Sequence, residues 1–232
     1  MKISLFTFSA VWAITFPLAV PLAAGEANSA GQADPTPSGP PDNVPLIQAP
    51  QAGGLWTSEG VGHGFRPHLQ EFDVALGAGV STDDLGGKQT HDLLLTRIDY
   101  GWMLGETAGR DQWYGGNWEF LQEGFGGWQG HPADRYLIGT TSLLRYNVAT
   151  GTRWVPFLDG GIGFSATDIG HPDLGSTGEF NGQIGPGVSY FWGEHTALTL
   201  QYRYMHTSSG GLSSPNQGVN ENICYFGVSW FF

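Results

Sequence analysis

The chain has 232 residues, enough for one domain with additional segments. Its 9 Lys and Arg face 21 Asp and Glu, a formal net charge of −12 that excludes the basic surface a nucleic-acid partner requires. With 37 Gly, 9 Trp and only 13% charged residues it is unlike a soluble α/β enzyme and like a Gly- and aromatic-rich β-protein, and its single cysteine, Cys224, excludes an intrachain disulfide framework.

In chain order, residues 1–24 read as a Sec-type signal peptide. Met1-Lys2 supplies the positive start, and residues 3–24 are apolar and end in small residues, with cleavage expected between Ala23 and Ala27. Residues 25–54 (GEANSAGQADPTPSGPPDNVPLIQAPQAGG) hold too little apolar surface to order themselves and read as a disordered periplasmic linker. Residues 55–232 form the folded domain. His63 and His68 precede its first strand with no carboxylate or Cys at ligand spacing, so a solvated loop is expected there rather than a metal site.

From about residue 70 the dominant pattern has period two, broken by turn residues, and gives eight strands at 70–80, 91–104, 114–128, 135–148, 153–166, 178–192, 196–208 and 221–232. Each has an apolar face and a face of Gly, polar and charged residues. In the second, Ile98, Tyr100 and Trp102 oppose Arg97, Asp99 and Gly101; in the seventh, Leu198, Leu200 and Tyr202 oppose Thr199, Gln201 and Arg203. Trp102, Trp113, Trp154, Trp192 and Trp230 stand at segment ends, as in the aromatic girdles of membrane barrels. The sequence therefore predicts an all-β fold, an eight-stranded antiparallel transmembrane β-barrel, with apolar faces toward lipid and charges inside; a secreted β-sandwich is the second reading. Eight strands give a narrow lumen filled by side chains. Arg97 and Arg203 are expected to pair there with Asp99, Glu119, Glu123, Asp159 or Glu179, with Gly160, Gly161 and Gly185 making room. Bulges are expected at Pro156 and Pro186, which cannot donate ladder bonds.

With both termini periplasmic, the seventh strand ends at the cell surface. His206 and Ser208 share the parity of Leu198, Leu200 and Tyr202, so they face outward at the level of the outer-leaflet head groups, where lipid ester groups lie. As a hydrolase pair they are base and nucleophile; otherwise they are the polar end of a strand entering a loop.

The stretch YRYMHTSSGGLSSPNQG (202–218) resembles the lipid A 3-O-deacylase (PagL-like, acyloxyacyl hydrolase) family, whose hallmark is a His-x-Ser-Asn-Ala-Gly run followed by a Pro-Asn-x-Gly turn. GNWEFLQE (116–123) and VPFLDGGIGFSATDI (155–169) look like that family's third and fifth strands, and the resemblance covers roughly residues 90–232. It implies an outer-membrane barrel that removes an acyl chain from lipid A with a Ser-His-Glu triad on its outer surface, without cofactor or metal. Ser208 then matches the nucleophile and His206 the general base. The acid's position holds Asn220; Glu221 is the alternative acid, although plain alternation turns it into the lumen. Ser209 stands where the family has an oxyanion-binding Asn, and the backbone at Gly210 and Gly211 permits an oxyanion site. The implied partners are lipopolysaccharide (lipid A) in the outer leaflet and, through the terminal Phe232, the outer-membrane assembly machinery of a Gram-negative-type bacterium, with a homodimer left open. The competing reading is a non-catalytic structural or adhesive barrel with a degenerate site.

Overall fold

The computed structural model describes residues 65–82, 86–109 and 112–232; the expected signal peptide, linker and His63 lie outside them. Eight strands follow one another: β1 Gln70–Thr82, β2 Asp92–Met103, β3 Gly116–His131, β4 Arg135–Val148, β5 Trp154–Thr167, β6 Gly178–Phe191, β7 Thr196–Ser208 and β8 Val219–Phe231. Each pairs antiparallel with its sequence neighbours, and β1 pairs with β8, closing the barrel. Closure leaves no backbone edge facing lipid, the condition any sheet must meet to cross a membrane.

Alternation sets what lies inside. Leu76, Leu94, Ile98, Leu158, Ile184, Leu200 and Phe226 are exposed on the outer wall, whereas Asp73, Arg97, Asp99, Glu119, Glu123, Arg145, Asp159 and Arg203 are fully buried in the lumen. This inversion of a soluble protein's polarity matches lipid as the outer solvent. Arg97 pairs with Asp73, Asp99 and Glu123; Arg203 with Glu123 and Asp159. A third arginine, not foreseen from sequence, is Arg145, which reaches Glu71 and Asp159 at 3.1 Å each. Glu179 lies outside this set, accepting from Ser176 Oγ at 2.8 Å. Gly185 does not make room for an arginine: a Cβ there would meet the Tyr202 carbonyl oxygen at 2.0 Å, so it permits close strand approach instead. Room for aromatic partners comes from Gly77 and Gly187, which lie under the rings of Tyr225 and Phe157, and those rings in turn lie beneath Arg97 and Arg145.

The expected bulges are absent. Pro156 pairs with Val188, just beyond the last β4–β5 pair, and the β6–β7 ladder skips Gly185 and Pro186 without changing register. The missing donors are accommodated by the end of one ladder and a gap in another, so no inserted residue is needed. The barrel has one girdle at the end where β1 begins and β8 ends, where Trp154 packs on Tyr190, Trp118 on Tyr146 and Trp102 on Tyr100. All five tryptophans noted above belong to this end. The opposite rim is marked by Trp128, Tyr136, Phe164 and Phe180, each exposed. At the terminal end the lumen is closed by an apolar cap, in which Phe65 packs on Phe191 and Phe231 with Leu69, Met103 and Val155.

Candidate active site

The seventh strand ends in the rim opposite the start of β1, and β8 descends from it after the 209–218 loop. Residues two apart on a strand share a face, and residues directly opposed on an antiparallel pair lie side by side. His206 and Ser208 meet the first condition and His206 and Asn220, partners in the β7–β8 register, the second. The side chains join accordingly. His206 Nε2 lies 3.0 Å from Ser208 Oγ, and His206 Nδ1 lies 2.6 Å from Asn220 Oδ1. Only a protonated Nδ1 can donate to the amide oxygen, which leaves Nε2 with a lone pair to accept the serine proton. His206 and Ser208 are half-buried and Asn220 is fully buried.

Glu221 pairs with Met205 in the same unbroken register. No bulge rotates it, so its side chain is buried on the lumen side and does not meet His206. Ser209, expected to help bind an oxyanion, has both its donors engaged elsewhere: its N–H and Oγ–H donate to Asn216 Oδ1, at 2.8 Å each. It fastens the loop on itself. The next two residues, Gly210 and Gly211, are left-handed, with φ of 63° and 85°. Among the described residues no acceptor meets their N–H groups, and successive free amides of this kind form anion-binding concavities.

Beside the pair lies a groove of about 340 Å³ on the outer wall, lined by Ile162, Phe164, Phe180, Gly182, His206 and Ser208 among others. Its floor depends on Gly182, the register partner of His206, where an added Cβ would meet nothing within 4 Å. Phe180 and Phe164, which pack with ring centroids 5.2 Å apart, wall it on the Ser208 side. Sequence reasoning missed Gly182, since a glycine on an apolar face carries no signal of its own. It also missed Gly218, although the Pro-Asn-x-Gly run marks it. Gly218 has φ of 81°, and a Cβ there would lie 2.7 Å from His206 Cε1, so this turn seats the imidazole. The described residues contain no group of three or more metal-ligating side chains.

A closed eight-stranded barrel with an apolar outer wall, carrying a hydrogen-bonded Ser–His–Asn set beside a lipid-facing groove, defines a transmembrane barrel of the outer-membrane class. A family model for lipid A 3-O-deacylase (PagL) matches residues 94–229, more than half of the chain, and the protein belongs to that family. A relative named lipid A deacylase PagL, from Pseudomonas aeruginosa, is 29% identical over 114 residues. That alignment covers 47% of this chain and 63% of the relative, just under two thirds of its length. Among solved structures, the outer membrane enzyme PagL superposes with a TM-score of 0.52 at 21% identity, over 67% of this chain and 97% of that one. Neisserial surface protein A has the same fold, with a TM-score of 0.51 at 17% identity over 71% and 96% of the two chains.

Proposed function

We propose that the protein is an outer-membrane carboxylic ester hydrolase that removes an ester-linked acyl chain from lipid A, with Ser208 as nucleophile, His206 as general base and Asn220 orienting the imidazole. Export through the amino-terminal signal and insertion with the 209–218 loop at the cell surface bring the site to the outer leaflet, where that substrate resides. The observation that carries the reading is the continuous chain from Ser208 Oγ through both ring nitrogens of His206 to Asn220 Oδ1, placed beside a lipid-facing groove in a member of this family.

The chemistry follows the atoms. Ser208 Oγ bonds to the acyl carbonyl carbon as its proton passes to His206 Nε2, and the carbonyl oxygen becomes an oxyanion. The amides of Gly210 and Gly211 are the donors available to it. Collapse breaks the bond to the sugar oxygen, which takes the proton from His206. Water then attacks the acyl-serine, again losing its proton to Nε2, and the fatty acid leaves as Ser208 regains its hydrogen. The acyl chain lies in the groove over Gly182. Asn220 fixes the tautomer but supplies no negative charge to the imidazolium, and this departure is what favours the alternative of a barrel with a degenerate site.

The test uses the folded full-length protein in detergent with purified lipopolysaccharide and follows released 3-hydroxy fatty acid by mass spectrometry. Wild type releases it and Ser208→Ala does not. No release by wild type, or equal release by Ser208→Ala, would overturn the assignment.

A further inference from the structure

Asp173, in the 168–177 loop, has neither side chain nor carbonyl idle. It is fully buried, and its polar atoms reach two other loops. Oδ1 accepts the Lys88 N–H at 2.6 Å and Oδ2 lies 3.0 Å from His91 Nε2, both on the segment between β1 and β2. Its carbonyl accepts the N–H of Gln217 at 2.9 Å and of Gly218 at 3.3 Å, in the loop between β7 and β8. The adjacent Leu174, also fully buried, forms an antiparallel bridge to Asn216 and packs with Val219 and Ile169.

The stretch so gripped, Asn216–Gly218, meets Ser209 on one side and the His206 ring on the other. Asn216 Oδ1 holds Ser209, the neighbour of Ser208. Gly218 packs on the His206 ring and lies two residues before Asn220. His91 fixes the other end of the chain of contacts to the barrel wall. Its N–H donates to Ser81 Oγ on β1, and its Nδ1 lies 2.7 Å from Oε1 of Gln129 on β3, whose amide is turned by donation to the Ala133 carbonyl. A contiguous path therefore runs from β1 and β3 through His91 and Asp173 to the loop that seats the imidazole.

We infer that Asp173, with its carboxylate held by His91, is a positioning residue of the Ser208–His206–Asn220 site, acting through residues 216–218. The inference rests on the hydrolase reading above. A site of this kind depends on sub-ångström placement, and a displacement of about 1 Å lowers rates on the order of 100-fold.

The test compares wild type, Asp173→Ala and Asp173→Asn, each purified as the folded barrel by its heat-modifiable migration on electrophoresis. Two readouts are taken: kcat and KM for acyl release from lipopolysaccharide, and the rate at which a fluorophosphonate labels Ser208, which needs no lipid. Asp173→Ala is expected to lower kcat and the labelling rate together, by about 10- to 100-fold, with KM within about twofold. Asp173→Asn, unlike Asp173→Ala, keeps a side-chain acceptor for the Lys88 N–H and recovers most of both. Folded Asp173→Ala with unchanged kcat and labelling overturns the inference, as does a loss confined to KM. Should Asp173→Ala fail to fold, His91→Gln is judged by the same criteria, and unchanged values there overturn it equally. If wild type labels at Ser208 but releases no acyl chain, the lipid A assignment falls, and the inference is decided by labelling alone. A wild type that neither labels nor hydrolyses overturns both.

Discussion

Asn220 stands where a charged acid would complete the hydrogen-bonded chain. Its Oδ1 accepts from His206 Nδ1 at 2.6 Å, which orients the ring but would leave the imidazolium of the proposed acyl transfer without a facing negative charge. In serine hydrolases, replacing the triad carboxylate by its amide lowers kcat by about 10⁴, partly through the wrong tautomer. Here the oxygen faces the ring, so the tautomer is right and only the charge is missing. Asn220→Glu is therefore expected to raise kcat for acyl release by about 10- to 10³-fold with little change in KM, measured on lipopolysaccharide. A carboxylate already exists one residue on, at Glu221, yet it does not substitute, because a strand sends consecutive side chains to opposite faces.

At the scale of the elements, β6 and β7 together make the groove, and Gly182 is the position that leaves it open. Gly182→Leu adds a side chain toward open space, so the fold tolerates it, while the acyl chain meets an obstruction beside His206. kcat/KM for lipopolysaccharide is expected to fall on the order of 10- to 200-fold, while hydrolysis of a short soluble ester changes little. The strands themselves were legible in the sequence, since alternation is a local property and each of the eight observed strands overlaps an expected one. Their ends were less so: β3 runs on to His131 and β8 begins at Val219. The outward parity of His206 and Ser208, and the inward parity of Glu221, followed from the same alternation. What the sequence hid lies in the loops. His91 and Asp173 belong to no motif of the sequence. Gln129 and Asp173 lie 38 and 82 residues from His91, and no local pattern records such contacts. The bulges at Pro156 and Pro186 failed for a related reason. Whether a proline disturbs a ladder depends on which neighbour its nitrogen faces, and that is a property of the pairing.

For the molecule as a whole, the buried charges are costly to unpair. Arg203 holds Asp159 at 3.1 Å and also pairs with Glu123, all three within the lumen. Arg203→Leu leaves Asp159 to Arg145 alone and Glu123 to Arg97 at 3.7 Å, and is expected to destabilise the barrel by up to about 3–5 kcal/mol, seen as a lower temperature of conversion from the folded to the unfolded band on electrophoresis. The pair Arg135–Asp168, 3.7 Å apart and with both side chains exposed, offers the contrast. Solvent screens it, so Arg135→Ala is expected to cost less than about 1 kcal/mol.

The Phe65 cap and the arginine–carboxylate core have a further consequence, one of electrical behaviour. Phe65 closes the terminal mouth against Phe191 and Phe231, and Arg97, Arg145 and Arg203 occupy the middle of the bore with no exposed surface of note. Ions crossing would have to displace charges that are already paired. Reconstituted in a planar bilayer, the protein is expected to show no unitary current under an applied voltage. Discrete current steps from the wild-type protein would contradict the filled bore. A cell can thus carry this barrel in its outer membrane without opening an ionic leak.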